Sequence, residues 1–212
     1  MTTILIFDLG DVLVEGFSRV AAVLAQQLTR AVTDIMPALG GEPLVSLTEG
    51  RLAEATYWQR VLDRARWPMT VAALEALVRE IFRRPVPGMP ELLTSLRAHR
   101  LMLLSDQGRE WMAYLDATHP FLGIFERRFL SCEMGQTKRQ LTTFQRVIAE
   151  LCCAPHDCVF IDDLPWNVAR AQMVGMRATQ FTSIDALKGF LAQEHLYTLT
   201  RSSVSTSMEP VP

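Results

Sequence analysis

Three short apolar runs, each followed by a small polar cluster, constrain the fold of this chain more than any other feature of its sequence. The runs and the clusters that follow them are residues 4–7 with Asp8, residues 101–104 with Ser105 and Asp106, and residues 158–161 with Asp162 and Asp163. Apolar runs of about four residues without polar alternation are typical of strands that are buried on both faces, as in parallel sheets. The pattern therefore predicts a parallel sheet whose strands end at polar side chains.

The segments between these runs have the periodicity of helices. One predicted helix carries five apolar residues on a single face, namely Leu141, Phe144, Val147, Ile148 and Leu151. Alternating strands and helices predict an α/β fold with a doubly wound, mainly parallel, Rossmann-like sheet. Such sheets bind ligands at the carboxyl ends of their strands, which is where the polar clusters lie.

The chain is predicted to contain a core, an insertion and a tail. About 90 residues separate the first two apolar runs, far more than a crossover connection needs. The excess has helical periodicity and predicts a helical cap at residues 15–86, inserted into an α/β core of residues 1–14 and 87–195. Prolines and a glycine at residues 85–90 predict the return to the core. The Ser-, Thr- and Pro-containing stretch predicts a disordered tail at residues 196–212.

Composition excludes several classes of function. The net charge is −2 and the pI about 6.1, so no basic surface is expected for nucleic acid or for an anionic membrane. No apolar run is long enough to span a bilayer, and no signal peptide is evident. Four cysteines without a CxxC spacing predict reduced thiols. We therefore expect a cytoplasmic protein that acts on a small molecule, whereas oligomeric state leaves no mark in the sequence.

The clustered carboxylates indicate a cation. Taken one at a time, each polar cluster can be explained as the cap of a turn or a helix. Together, carboxylates that converge on one sheet edge repel each other unless a positive charge lies between them. Carboxylate oxygens are the ligands that Mg²⁺ prefers, so the pattern predicts a magnesium site that includes Asp8, Asp162 and Asp163.

The same residues supply the parts of a phosphoryl-transfer site. Such a site needs a nucleophile, a metal, a hydrogen-bond donor and a fixed cation. Asp8 can act as a carboxylate nucleophile that forms an aspartyl phosphate. Ser105 can donate a hydrogen bond to the phosphate. Lys138 can supply a compact positive charge, and it is one of only two lysines among 21 basic residues.

Four segments resemble, in order, the four motifs of the haloacid dehalogenase (HAD) superfamily. They are residues 7–13, 103–106, 135–138 and 160–167. The resemblance covers about residues 3–184 and implies a magnesium-dependent hydrolase with a small helical cap after the first strand. Residues 48–52 and the following Trp58 resemble a cap stretch of members that act on sugar phosphates. Trp166, beside the fourth motif, is expected to pack, although a contact with the substrate stays open for this residue.

The resemblance assigns roles residue by residue. It makes Asp8 the nucleophile, with Lys138 as its catalytic partner. It assigns metal binding to the side chains of Asp8 and Asp163, the backbone carbonyl of Gly10 and, less directly, Asp162. It assigns substrate binding to Ser105, Asp106 and Lys138.

Gly10 departs from the family pattern. Phosphatases of the family usually carry a second Asp at this position, which protonates the leaving group and then activates water. Asp11 is displaced by one residue and is expected to point elsewhere, so we expect reduced activity. Asp106 also departs, because Asn is common there, and an extra carboxylate disfavours an anionic substrate.

Three functions are compatible with the sequence. The first is hydrolysis of a small phosphorylated metabolite, with sugar phosphates among the candidates. The second is metal-independent dehalogenation, which uses the same nucleophile and tolerates the loss of the second Asp. The third is binding of a phosphorylated ligand without turnover, which Gly10 and Asp106 motivate.

Overall fold

A five-stranded sheet forms the centre of the computed structural model, which describes residues 3–198. All strand pairs within this part of the chain are parallel, and the strand order is β3-β2-β1-β4-β5. The strands are β1 (Ile4–Phe7), β2 (Arg100–Ser105), β3 (Arg127–Leu130), β4 (Cys158–Asp162) and β5 (Arg177–Gln180). The fold class is therefore α/β, as the sequence predicted.

Helices connect the strands and cover both faces of the sheet. Within residues 3–198 the α-helices are α1 (Phe17–Leu28), α2 (Val32–Leu39), α3 (Glu42–Thr48), α4 (Glu54–Ala65), α5 (Val71–Phe82), α6 (Met89–Ser95), α7 (Arg109–Thr118), α8 (Ser131–Met134), α9 (Leu141–Leu151), α10 (Pro165–Met173) and α11 (Ile184–Gln193). No helix in this range is long and apolar enough to cross a membrane.

The three predicted strands are the three central ones. Their side chains are almost completely buried, because helices cover both faces and leave no position for a polar residue. The edge strands β3 and β5 were not predicted. Each has four residues, begins with an arginine and is only partly buried, so neither contains a continuous apolar run.

Helices α1–α5 form an inserted helical segment between β1 and the rest of the sheet. The chain enters and leaves this segment at adjacent positions. The Glu15 N–H donates to the Arg84 carbonyl (2.8 Å), and the Val86 N–H donates to the Leu13 carbonyl (2.9 Å). These pairings lie at the predicted boundaries, residues 14/15 and 86/87. Pro90 lies in the first turn of α6, where a missing N–H costs no hydrogen bond.

A buried carboxylate joins the inserted helical segment to the core. Glu54 of α4, only 3% exposed, accepts hydrogen bonds from the indole N–H groups of Trp58 (3.1 Å) and of Trp111 on α7 (2.6 Å). Arg79 of α5 forms an ion pair with the same carboxylate. Trp58 is completely buried in this cluster, so its side chain packs in the interior.

The predicted tail falls mostly outside the described residues. Leu196 and Tyr197 still pack against the core, and His99 Nε2 lies 3.0 Å from the Leu196 carbonyl oxygen. Residues 199–212 lie beyond the part of the chain that the structure describes, and with them the Ser-, Thr- and Pro-containing stretch.

Replacement of Glu54 tests how strongly the inserted helical segment is attached. Glu54→Ala leaves the Arg79 guanidinium and two indole N–H groups without their shared acceptor. We expect the free energy of unfolding to fall by about 3 kcal/mol, measured by urea denaturation. Glu80→Ala is the matched control, because Glu80 pairs with Arg83 and Arg84 on the exposed surface. It should leave the denaturation midpoint unchanged, and equal effects of the two variants would contradict the role of Glu54.

Candidate active site

The carboxyl ends of the three central strands bring the predicted site residues together. Asp8 follows β1 directly, Ser105 ends β2 and Asp162 ends β4. The register places Phe7 beside Leu103 and Ile161, so the three strands end at nearly the same level. All three polar side chains are buried, and Asp8 and Ser105 line the cavity described below.

Lys138 is the cation of this cluster. Its ammonium Nζ lies 2.7 Å from Asp8 Oδ1 and donates to Asp162 Oδ2 at 2.6 Å. Burial by itself lowers the pKa of Lys138, but the negative charges of Asp162, Asp8 and Asp106 raise it above its ordinary value. The side chain therefore stays charged at neutral pH, and the structure places it in contact with Asp8.

Asp106 positions the backbone of Lys138. Both of its carboxylate oxygens accept the Lys138 backbone N–H, at 2.9 and 3.2 Å. The alternative that Ser105 or Asp106 caps the following helix is wrong, because Gly108 is the N-cap of α7. Burial raises the pKa of Asp106, and the nearby Lys138 charge opposes the rise.

Asp162 is fully occupied by hydrogen-bond donors. One oxygen accepts from the Leu164 N–H (2.9 Å), the other from Lys138, and the Asn167 side-chain amide donates to both (3.1 and 3.2 Å). This arrangement orients Lys138 toward Asp8. This contact of Asn167 was not predicted, although its spacing of five residues after Asp162 places it in the first turns of α10.

Other oxygens at the site are available to a cation. The Asp163 carboxylate and the Gly10 carbonyl accept no hydrogen bond from another residue within 3–198, and Lys138 engages only one Asp8 oxygen. Carboxylate oxygens of Asp8, Asp162 and Asp163 lie within 4.8 Å of one another. This set of hard oxygen donors fits a divalent cation such as Mg²⁺.

The electrostatics of the cluster also favour a cation. Burial raises the pKa of Asp8 to about 8, an effect that the charges of Asp162 and Asp163 reinforce and Lys138 opposes. Burial, with the charges of Asp162 and Asp11, raises the pKa of Asp163 to about 7. One lysine therefore does not neutralise the carboxylates, which retain protons unless a second positive charge binds.

Asp11 forms hydrogen bonds with the first residues of the inserted helical segment. Its carboxylate accepts hydrogen bonds from the backbone N–H groups of Gly16 (2.9 Å) and Ser18 (3.0 Å) and from the Ser18 hydroxyl (2.6 Å). The side chain thus caps α1. A Cβ at Gly16 would lie 2.7 Å from the Asp11 backbone nitrogen, so only glycine allows this close approach. Because its oxygens are occupied, Asp11 is poorly placed to replace the second Asp of the family pattern.

A cavity of about 350 Å³ lies over the cluster. Its floor includes Asp8, Ser105, Lys138 and Asp163. The inserted helical segment supplies much of the opposite wall, and those residues are mostly apolar, among them Phe17, Met36, Leu39, Leu44 and Val45. The cavity therefore has a charged floor and an apolar roof.

Comparison with known proteins assigns a family to this arrangement. The family model described as haloacid dehalogenase-like hydrolase matches residues 2–175. The chloroplastic flavin mononucleotide hydrolase 1 of Arabidopsis thaliana is 31% identical over 101 residues, which are 47% of this chain and 41% of that protein. The matched part of this chain thus spans less than half the length of that relative.

Solved structures share the fold. A HAD-family enzyme of Bacteroides thetaiotaomicron, in complex with magnesium and inorganic phosphate, is 20% identical with a TM-score of 0.66, over 87% of this chain and 96% of that one. The L-2-haloacid dehalogenase of Xanthobacter autotrophicus, with chloropropionic acid covalently bound, is 16% identical with a TM-score of 0.65, over 93% and 85%.

The raised pKa values predict how pH and a cation affect stability. The pKa values of Asp8 and Asp163 rise from 3.8 in the unfolded chain to about 8 and about 7. Their contribution to the stability of the metal-free protein is present below pH 4 and is lost as the pH rises to about 8. Mg²⁺ binds the deprotonated carboxylates, so it should raise the Tm more at pH 8.5 than at pH 6, measured by differential scanning fluorimetry.

A charge-matched pair of variants checks this prediction. Asp163→Asn should remove most of the Mg²⁺-induced rise in Tm, whereas Asp185→Asn, on the exposed face of α11, should retain it. An equal Mg²⁺ response in the two variants would show that the cation binds elsewhere.

Proposed function

This chain belongs to the haloacid dehalogenase-like hydrolases, and on that premise we propose that it is a magnesium-dependent phosphatase of a small phosphorylated metabolite. The observation that carries the proposal is the buried contact between Lys138 and Asp8 beside the unengaged carboxylate of Asp163. A carboxylate nucleophile, a fixed ammonium and a set of oxygen atoms that can hold a divalent cation are the parts that phosphoryl transfer needs. Two similar proteins support the same chemistry. The Arabidopsis relative is a flavin mononucleotide hydrolase, and the Bacteroides HAD-family enzyme is in complex with magnesium and inorganic phosphate.

Asp8 transfers the phosphoryl group in two steps. In the first, a carboxylate oxygen of Asp8 attacks phosphorus, the ester P–O bond breaks, and the leaving group departs with the electron pair. In the second, a water oxygen attacks the same phosphorus and the bond to Asp8 breaks, which regenerates the carboxylate. The product is inorganic phosphate, and the water proton passes to that phosphate or to solvent.

The other site residues stabilise the phosphate and the nucleophile. Lys138, held in place by Asp162, opposes the rise in the pKa of Asp8 and faces the transferred oxygens with its positive charge. Ser105 donates its hydroxyl to a phosphate oxygen. Asp8, Asp163 and the Gly10 carbonyl would hold Mg²⁺, which would supply positive charge to neutralise the phosphate.

We assign the cap role to residues 15–86. The helices of this range form the wall of the cavity opposite the nucleophile, and backbone pairing closes the range at its base. A wall that faces the leaving group, and not the phosphate, determines which ester is accepted. Sugar phosphates are one candidate class for this wall.

Dehalogenation is the second candidate, and Gly10 favours it. A dehalogenase uses the same Asp nucleophile, and halide leaves without a proton, so the missing second Asp would cost little. The metal requirement separates the two functions, since displacement of halide needs no Mg²⁺ whereas the phosphatase depends on it. Halide release from a 2-haloacid in the presence of a chelator would establish the dehalogenase.

Asp8→Asn tests the nucleophile. The amide is a much weaker nucleophile than the carboxylate, so Mg²⁺-dependent hydrolysis of p-nitrophenyl phosphate should fall by more than about 10³-fold. The initial rate is measured with Mg²⁺ and with a chelator. Asp185→Asn is the control for loss of a carboxylate and should match the wild type. Retention of activity in Asp8→Asn would rule out the proposed mechanism, and phosphate binding without turnover in the wild type would favour a binding protein.

Gly10→Asp tests the consequence of the missing acid. A Cβ at Gly10 would contact only the Gly16 Cα, at 3.9 Å, so a side chain fits at its base. The new carboxyl can protonate the leaving group, and general acid catalysis typically contributes about 10²–10⁴-fold. We expect kcat for an alkyl phosphate to rise at least about tenfold, with a smaller gain for p-nitrophenyl phosphate, whose leaving group needs little protonation.

Gly10→Asn is the control for this gain, because it adds nearly the same volume without an ionisable group. Equal kcat values for the Asp and Asn variants, with Mg²⁺ binding preserved in both, would show that the absence of an acid does not limit the rate.

A further inference from the structure

We propose that the leaving group of the natural substrate is a planar aromatic alcohol whose ring contacts Trp166 at the mouth of the cavity. This inference rests on the proposed phosphatase function and names the class of ester that it hydrolyses. Three observations carry it: an exposed tryptophan, apolar residues that line the cavity and the lack of an acid.

Trp166 is the exposed aromatic residue of the cavity. It lies in the first turn of α10, lines the cavity and is 55% exposed. The expectation that it packs in the interior is therefore wrong: the helix begins at Pro165 with Trp166 on its outer side, and Asn167 and Val168 are buried instead. A large apolar ring exposed beside a reactive site provides a flat surface for stacking.

Several other residues that line the cavity are apolar. Met36 of α2 is 44% exposed and lines the same cavity, as do Leu39 and Leu44. A sugar enclosed by these side chains would have hydroxyl groups without hydrogen-bond partners. A planar aromatic group would bury apolar surface against them without that cost.

The chemistry of the floor selects the same class of ester. Gly10 has no side chain, and the Asp11 oxygens are occupied at the start of α1. No acid from these positions protonates the leaving oxygen, so the oxygen must be stable as an anion when the P–O bond breaks. Delocalisation into an aromatic ring stabilises that anion and requires a planar group. The apolar residues of the roof and the missing acid of the floor thus both favour an aromatic leaving group.

The test compares three phosphates on the wild type with Mg²⁺. 4-Methylumbelliferyl phosphate carries a planar aromatic leaving group, ribose 5-phosphate carries a sugar, and acetyl phosphate carries neither. The KM should be lowest for the aromatic ester. In Trp166→Ala, the ratio of the KM for the aromatic ester to that for acetyl phosphate should rise about three- to tenfold, and Trp166→Phe should restore it. Met173→Ala is the control, because Met173 is 71% exposed on the same helix and does not line the cavity.

A binding measurement separates failure of this inference from failure of the proposed function. By calorimetry, a naphthyl-substituted methylphosphonate, which cannot be hydrolysed, should bind the wild type more tightly than methylphosphonate, and Trp166→Ala should lose the difference. Lack of turnover of every phosphate with this preference intact would overturn only the phosphatase function. Two results would overturn the aromatic leaving group: a KM for ribose 5-phosphate below that for the aromatic ester, or an unchanged KM ratio in Trp166→Ala. Continued hydrolysis of acetyl phosphate would show in either case that the phosphatase function itself stands.

Discussion

The buried contact of Lys138 with Asp8 and Asp162 is the interaction on which the site depends. A charge removed from water is tolerated only when paired and hydrogen-bonded. Here Asp162 is saturated by Lys138, Asn167 and the Leu164 N–H, whereas Asp8 keeps one oxygen unengaged. The asymmetry gives the two carboxylates different roles: Asp162 positions the cation, and Asp8 remains available for chemistry.

The turn after β1 connects this chemistry to the inserted helical segment. Asp8 faces the cluster, and the Gly10 carbonyl accepts no hydrogen bond from another residue within 3–198. The Asp11 carboxylate caps α1 and accepts three hydrogen bonds there, so we assign it no role in proton transfer. At its far side, Glu54 joins the segment to the core through Trp111 and Arg79. The roof of the cavity is thus attached at its base through the turn and at its side through a buried carboxylate. This attachment keeps an apolar surface over a charged floor, a contrast that suits a phosphate with an apolar leaving group.

The sequence determined the features that depend on neighbouring residues. Unbroken apolar runs identified β1, β2 and β4, because a strand covered on both faces admits no polar residue. Helical periodicity predicted helices between β1 and β2, where α1–α5 lie, whereas the assignment of residues 15–86 to a cap stays a prediction. The four motifs, in their order, predicted that Asp8, Ser105, Lys138 and Asp162 lie close together at one edge of the sheet. The strands β3 and β5 escaped prediction because sheet edges tolerate arginine and partial exposure.

The tertiary structure decided which partner each polar group has. No spacing in the sequence shows that Asp106 accepts the Lys138 backbone N–H across 32 residues. The difference between Trp58, completely buried, and Trp166, mostly exposed, likewise depends on how the helices pack. Local sequence determines which segments become buried strands or helices, since that follows from the periodicity of apolar residues. Hydrogen-bond partners and cavity walls join residues far apart in the chain, and only the folded packing of the helices on the sheet selects them.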